Sequence, residues 1–388
     1  MNNRILLSAV GIGRAHSKRT LALAKRLQEE GYDIYLCLGR RDCKIARQNG
    51  FQNVYLVQEV SWIENQYGVD VIRSGLNILL PTLHKSSLIV EYKSSLIVEF
   101  VRRYVQERNI KNKIKPRVLV SDGDIAMLRV GKRWHEKYVF VTNVLRPQYK
   151  GFFRAVAKLP QYLSERYMKG AEEIEFADLP PPKTISLYNL GNWKDFSNLK
   201  FVGPFTDMRR PEGVEDKKFI YVMAGGTDEN RIRFFRTIKP VLDEYCRKSG
   251  YTWKMALGLT GGLIEKTDLH EVYRYVDQET MERFQNECSF VLHRGTHLAC
   301  LESIAKEKPS LIVPTKDQVE QEANARRMQE LGLGVSVEES ELEGLPQAIE
   351  RMMNEREDYS RRLREFREYA EEFNGLEKAV EHIKSLLS

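Results

Sequence analysis

The 388-residue chain is 42% hydrophobic and 30% charged, the balance of a soluble globular protein long enough for two cores. No apolar run approaches the roughly 20 residues that span a bilayer, and the opening MNNRILLSAVG reads as a strand rather than a signal peptide. The net charge of +7 is uneven: residues 1–180 hold 30 Lys and Arg against 18 Asp and Glu, the remainder 31 against 36. A basic first half fits an anionic partner such as a lipid surface, a phosphate-bearing acceptor or a nucleic acid, or else only a solvated charged surface. Nucleic acid is the weakest of these, because the basic residues are dispersed and no stacking-aromatic motif accompanies them. The five cysteines (Cys37, Cys43, Cys246, Cys288, Cys300) have no paired ligand spacing. They read as reduced thiols of a cytoplasmic protein, and no metal site is expected.

Segments rich in β-branched residues alternate with helical patterns along the whole chain, which predicts an α/β protein with parallel sheets. In the first half, strands are expected at Arg4–Val10, Asp33–Cys37, Asn53–Val57, Arg117–Ser121 and Tyr138–Thr142, with a helix at Lys18–Glu30. The tandem octads KSSLIVEY and KSSLIVEF, Lys85–Phe100, read as a short duplication inside a helical region from about Val71 to Arg108. That region is expected to pack on a core, with contact to a membrane surface as the alternative. A polar stretch, GPFTDMRRPEG, reads as a linker, after which the alternation restarts at KFIYVMAGG, TWKMALGLTGG, SFVLHRG, PSLIVP and GVSV. A charged helical region closes the chain from about Leu345 to Leu387. The expected boundaries are a first doubly wound domain at 1–205, a linker at 206–215, a second doubly wound domain at 216–360 and a helical tail at 361–388. The tail is expected to pack back toward the first domain.

Four stretches carry chemistry. In AVGIGRAHSKRTLALAKRL the first strand ends at a turn containing Gly11 and Gly13, and a helix then begins near Ser17. Its N-terminus offers free backbone N–H groups at the carboxyl edge of a sheet, where anions bind. His16, flanked by Arg14, Lys18 and Arg19, is placed to act as a general base on a hydroxyl; the plain alternative is a packing or capping histidine. In VSDGDIAML, Asp122 and Asp124 reach the same edge, where they either hold a divalent ion, form an Asx turn before a helix, or orient His16. In YVMAGGTDENRIRFF a second cradle forms from Gly225, Gly226 and Thr227. Finally, Arg294, Gly295 and Thr296 follow a strand and start a helix bearing Glu302, and the next strand releases Glu320, Gln321 and Asn324. Polar groups at strand ends fix the orientation of small ligands, and Glu302 has the chemistry to accept both hydroxyls of a ribose.

The order of these motifs resembles the GT-B glycosyltransferases, in the group similar to the bacterial transferase that adds N-acetylglucosamine to a lipid-linked peptidoglycan precursor. The pattern is strongest over Phe290–Val335: Arg294-Gly295, Glu302, EKPSLIVP, then Glu320-Gln321 and Asn324-Ala325. The resemblance implies two tandem Rossmann-like domains with a cleft between them and a helical tail. It implies that Glu302 binds the ribose of a nucleotide-sugar donor, Gln321 the sugar, and Gly225, Gly226, Thr227, Gly295 and Thr296 the diphosphate. Val276 would meet the base through its backbone, with Met281 beside it, and His16 would serve as base or acceptor orienter. Ala15, Thr296 and Glu307 stand where the group usually has glycine. The reading that follows is an inverting, metal-independent transferase moving a hexose, N-acetylglucosamine among the candidates, from a UDP-sugar. The acceptor hydroxyl is left open, a lipid-linked one among the alternatives, as is peripheral contact with an anionic membrane at its inner face. No cofactor is expected beyond the UDP-sugar co-substrate. The rivals are a nucleotide-sugar hydrolase or epimerase on the same scaffold, and a non-catalytic nucleotide-sugar-binding subunit.

Overall fold

The structure is a computed structural model that describes residues 3–11, 15–60, 64–65, 68–69, 82–85, 90–149, 151–209, 213–226, 228–259 and 261–387. Among these residues two seven-stranded sheets follow one another along the chain. The first contains β1 (Arg4–Ala9), β2 (Asp33–Leu38), β3 (Val54–Leu56), β4 (Val118–Asp122), β5 (Lys137–Thr142), β6 (Glu173–Phe176) and β7 (Leu199–Phe201). Its order is β7-β6-β5-β4-β1-β2-β3, and every pair is parallel. The second contains β8 (Lys217–Met223), β9 (Thr252–Ala256), β10 (Leu263–Lys266), β11 (His270–Tyr273), β12 (Cys288–His293), β13 (Ser310–Ile312) and β14 (Gly334–Ser336). Its order is β10-β11-β9-β8-β12-β13-β14, parallel except for the β10–β11 pair.

The strand order of both sheets reverses at a switch point, between β1 and β4 in the first and between β8 and β12 in the second, where the diverging loops open a crevice. Strands such as RILLSA and CSFVLH are apolar on both faces because helices cover both. On the first sheet, α1 (Ala15–Glu29), α2 (Arg40–Gln48) and the last helix share one apolar cluster, in which Leu23, Leu27 and Ala46 meet Ala379, Val380 and Ile383. On the opposite face lie α3 (Leu96–Ile114), α4 (Ile125–Trp134) and α5 (Gly151–Met168). The second sheet carries α6 (Asp228–Ser249), α7 (Gln278–Glu287), α8 (His297–Ala305), α9 (Val319–Glu330) and α10 (Leu345–Asn354). Then α11 (Arg356–Glu371) packs on the second half through Leu363 and Phe366. The final helix, α12 (Gly375–Leu387), crosses back to α1. At that crossing Gly375 donates its N–H to Pro204 O over 3.2 Å, so the two passages between the halves touch.

Where they are described, the duplicated octads adopt different structures. The segments Thr82–Lys85 and Val90–Lys93 pair antiparallel, whereas the second copy starts α3, with Ser95 accepting from Val98 N at 3.3 Å. This corrects the expectation of a helical region from about Val71 to Arg108, of which residues 71–81 and 86–89 lie outside the described residues. A β-branched octad satisfies either state; the hairpin partner decides the first copy and the serine cap the second.

Candidate active site

The carboxyl ends of β1 and β4 pair Ala9 with Asp122, and α1 begins six residues after Ala9. This brings His16 in the first turn of α1 onto Asp122, with Nδ1 2.7 Å from Oδ1. Arg19, one turn later on the same face, donates Nε to Asp122 Oδ2 at 2.7 Å and its terminal nitrogen to Oδ1. Asp122 is 2% exposed. Burial alone raises its pKa, but the Arg19 guanidinium and the hydrogen bonds from Arg19 and His16 outweigh that and hold it below the usual range. An ionised carboxylate only accepts, so His16 Nδ1 must carry the proton that faces it. Nε2 is thereby left as the lone-pair nitrogen. Gly123 permits this approach: its φ is +66°, and a Cβ there would sit 2.7 Å from His16 Cε1.

In the first half, Arg19 departs from the sequence reading, and Asp124 takes the helix-capping one of its alternatives. Arg19, expected in a phosphate loop, is turned inward onto Asp122 and Asn143. Asp124 belongs to a different network: it caps α4 by accepting from Ala126 N at 3.0 Å and pairs with Arg103. Both acids that a cation in this crevice would need are therefore already neutralised by arginine. Around Arg103 lie Ser8 and Glu107, with Ser8 Oγ donating to Glu107 Oε1 at 2.7 Å. Burial, reinforced by the negative charge of Asp124, pushes the Glu107 carboxyl well above its ordinary range. Gly11 lies at the end of β1 against Glu59, while Gly13 and Arg14 lie outside the described residues.

In the second half, register aligns Met223 with His293 across the switch point. Gly225 lies beside the partner loop, where a Cβ would come 3.2 Å from Thr296 Cγ2, and Gly226 has φ +96°. Thr227 lies outside the described residues. Thr296 caps α8 through Ala299 N, and Gly295 has φ +75° with its N–H donated to His293 Nδ1 at 3.0 Å. That proton makes Nδ1 an acceptor, and burial drives His293 down to about 3, so it stays neutral. Glu302 sits one and a half turns into α8, accepting from Gln285 Nε2 at 3.1 Å. Val276 and Met281 border an apolar patch of Tyr221, Phe284 and Val291 next to that glutamine.

Much of the polar cluster after β13 holds the loop together. Gln318 caps α9, Gln321 Oε1 accepts from Thr315 N at 2.9 Å, and Asn324 Nδ2 donates to Gly295 O at 3.1 Å. Arg294, expected among the donor ligands, points into the domain instead. It is 1% exposed, bonded to Thr315 and Glu339, and stacked 4.2 Å from the Phe234 ring centroid.

The two switch points face each other. Lys18 in α1 pairs with Glu302 in α8 at 2.6 Å, and Asn143 after β5 donates to Glu320 in α9 at 3.0 Å. Sequence reasoning named Glu302 and Glu320 but found neither partner, nor Gln285. Lys18 was visible only as one basic residue among several, and Asn143 and Gln285 carry no motif. At the far end of the same interface, Leu179, Ile185 and Met208 enter an apolar cluster with Leu301, Ile304 and Met328.

Residues 250–380 match the glycosyltransferase family 28 C-terminal domain. An uncharacterized glycosyltransferase of Methanosarcina mazei is 22% identical over 386 residues, 96% of each chain. Among solved structures, the calicheamicin glycosyltransferase CalG4 superposes with a TM-score of 0.67 at 18% identity, over 100% of this chain and 99% of that one. MurG of Acinetobacter baumannii gives 0.60 at 12% identity, over 98% of this chain and 99% of that one. The spinosyn rhamnosyltransferase SpnG complexed with thymidine diphosphate gives 0.67 at 13% identity, over 99% and 100%. The paired sheets and the crevice between their switch points give the chain the GT-B fold, and residues 250–380 of its second half are similar to the glycosyltransferase family 28 C-terminal domain.

Proposed function

We propose that the chain is an inverting transferase that moves a hexose from a UDP-sugar to an acceptor hydroxyl, with His16 as general base. His16 Nε2 takes the acceptor O–H proton, the acceptor oxygen attacks the anomeric carbon from the face opposite the nucleotide, and the C–O bond to the diphosphate breaks with its electrons leaving on the diphosphate. Asp122 fixes the imidazole and stabilises its protonated form, and Arg19 keeps Asp122 ionised. The diphosphate lies at Gly225, Gly226, Thr227, Gly295 and Thr296, where the α8 N-terminus favours negative charge. Glu302 takes the ribose hydroxyls, Val276 and Met281 border the base, and the Gln321 carboxamide N–H groups, Glu320 and the sugar face one another. Asn324 and Arg294 hold the loop that does this. When a ribose displaces Lys18 from Glu302, the freed ammonium faces the leaving diphosphate. In this reading residues 1–205 form the acceptor half, 206–215 the linker, 216–360 the donor half and 361–388 the tail.

The observation that carries the reading is the His16–Asp122 pair at one switch point, directly across the Lys18–Glu302 contact from the helix N-terminus at the other. The thymidine diphosphate complex of SpnG supports a nucleoside diphosphate here, so that nucleotide belongs in the test beside UDP. Metal independence is supported by the arginine pairing of Asp122 and Asp124. Among the described residues no helix is long and apolar enough to cross a membrane. Helix α5, however, exposes Leu159, Tyr162 and Leu163 at i, i+3 and i+4, with Arg154, Lys158 and Arg166 around them. This is a surface for an anionic membrane and a lipid-linked acceptor on the cytoplasmic side.

Thermal stabilisation across UDP, thymidine diphosphate, GDP and a set of UDP-sugars tests the donor. A ligand at 100 times its Kd adds about 2.7 kcal/mol. Stabilisation by UDP and one UDP-sugar, with turnover requiring an acceptor and lost in His16→Ala, supports the transferase. Rapid acceptor-free hydrolysis selects the hydrolase, unchanged donor behaviour with no turnover in any variant selects the binding subunit, and no stabilisation by any nucleotide removes the donor site.

A further inference from the structure

Glu173 and Glu175 point to the same face of β6, two residues apart, and His382 of α12 meets them there. The donor atoms of the three side chains all lie within 4.8 Å of one another. Glu175 is 0% exposed, yet among the described residues neither of its carboxylate oxygens has an aligned hydrogen bond. A fully buried carboxylate left this way is costly unless something else neutralises it. His382 Nδ1 is 2.9 Å from Glu173 Oε2 and 3.4 Å from Glu175 Oε1, again with no aligned bond on Nδ1 or on Glu173 Oε2. The three side chains thus cluster between β6 and α12, with His382 within ion-pair distance of both acids.

We propose that Glu173, Glu175 and His382 form a divalent-metal site, selective for zinc, that clips the last helix to the first sheet. Two ligands about 2.1 Å from a tetrahedral zinc ion stand about 3.4 Å apart, so the His382–Glu175 separation already fits and the partly exposed Glu173 needs only a small rotation. One imidazole with two carboxylates suits zinc over magnesium or calcium, which prefer all-oxygen shells. The fourth position is open to water, because the side chains of His382 and Glu173 are 31% and 24% exposed and give the ion a path in. Lys200, exposed and paired in register with Glu175 on β7, is a cationic group on the adjoining strand. The site is two strands from Asp122, since Glu175 aligns with Val141 and Val141 with Asp122. It serves attachment of the tail and not the transfer step. The spacing was invisible in sequence because the ligands come from a short charged strand and from the tail.

The test is calorimetric titration of the untagged, EDTA-stripped full-length chain with zinc chloride, and separately with magnesium chloride, without any sugar or nucleotide. The expected result is one zinc per chain with a raised Tm, no magnesium binding, and at least about tenfold weaker zinc binding in His382→Ala and in Glu175→Gln. Circular dichroism and the metal-free Tm check that both variants fold; if one does not, Glu173→Gln replaces it, on the exposed side of the site. Absence of zinc binding by the wild-type chain overturns the proposal. Equal zinc affinity in the folded variants also overturns it, by assigning the ion to other ligands such as the cysteines.

Discussion

Replacing Asp122 with Asn is the sharpest probe of the proposed chemistry, because it keeps the shape of the side chain and changes only what it accepts. In the wild type, His16 Nδ1 and two nitrogens of Arg19 all point protons at Asp122. Asparagine has one acceptor oxygen and a donor NH2 in place of the second, so one of those contacts becomes donor against donor. Arg19, 9% exposed, also loses its counter-charge. Two effects follow. Breaking a buried pair by removing one partner destabilises by about 3–5 kcal/mol. The imidazole loses both its fixed tautomer and the charge that stabilises its protonated form, and general-base catalysis contributes about 10²–10⁴ in rate, so kcat should fall about a thousandfold, or about 4 kcal/mol. Donor affinity should hold within about threefold, because no donor residue touches Asp122. The assay is steady-state UDP release with saturating acceptor, run below the variant's Tm, beside a donor titration of the same preparation. A folded Asp122→Asn enzyme with kcat within about threefold of wild type would refute the role given to His16.

Gly123→Ala should impair the same step by crowding. Its φ of +66° and the 2.7 Å approach to His16 Cε1 predict a stability loss of about 1–2 kcal/mol and a lower kcat with unchanged donor affinity, readable by chemical denaturation and kinetics. Glu107→Gln tests the buried acid pair through pH. Because the folded state raises the Glu107 pKa, its contribution is fully present below the unfolded value and is lost as pH rises through the folded value. The variant should therefore match wild type near pH 4 and become relatively more stable as pH increases; a constant difference across pH in urea melts would refute this. Arg294→Met should lower the Tm by removing the Thr315 and Glu339 contacts, while donor affinity changes only in step with lost folding. Leu159→Ser with Leu163→Ser should reduce co-sedimentation with anionic vesicles without altering turnover on a water-soluble acceptor.

The sequence displayed the strands that carry an apolar run and concealed those that do not. RILLSA, VLVSD and CSFVLH stood out, whereas EIEF in β6 and HEVY in β11 place charged residues in a sheet and broke the pattern. The candidate site was legible where a motif marks a strand end, as at His16, Asp122 and Glu302. It was not legible where function depends on which way a side chain turns. Arg19 and Arg294 are basic residues beside glycine-containing turns, and only the packed structure shows both facing inward onto carboxylates. The cluster from Gln318 to Asn324 has a double answer for the same reason. A strand that ends at a crevice leaves a loop whose own N–H and C=O groups must be satisfied, and Gln318, Gln321 and Asn324 do this. Glu320 in that cluster also reaches across to the other half, where Asn143 donates to it, and Asn324 Oδ1 accepts from Asn189 Nδ2 at 3.4 Å.

The two ends of the interface between the halves differ in the strength of what joins them, and this fixes where the molecule can open. At the mouth, Lys18 is half-exposed, and an ion pair of that kind contributes about 0–1 kcal/mol. The Asn143–Glu320 bond contributes about as much. At the other end, Leu179, Ile185 and Met208 are buried against Leu301, Ile304 and Met328, and α12 buries Ala379, Val380, Ile383 and Leu387 on the first half. Each buried large apolar side chain contributes about 1.5–3 kcal/mol, so either apolar cluster outweighs both polar contacts together. Thermal motion therefore breaks the mouth first, with the touching passages at Gly203–Pro204 and Phe373–Gly375 as the pivot. Gly375 tests this directly, since a Cβ there would run into the carbonyls of Gly203 and Pro204. Gly375→Ala should force the two passages apart and move the tail relative to the first sheet. That change should alter kcat and KM together while His16, Asp122 and Glu302 remain intact, whereas a Tm loss with both constants unchanged would place the pivot elsewhere.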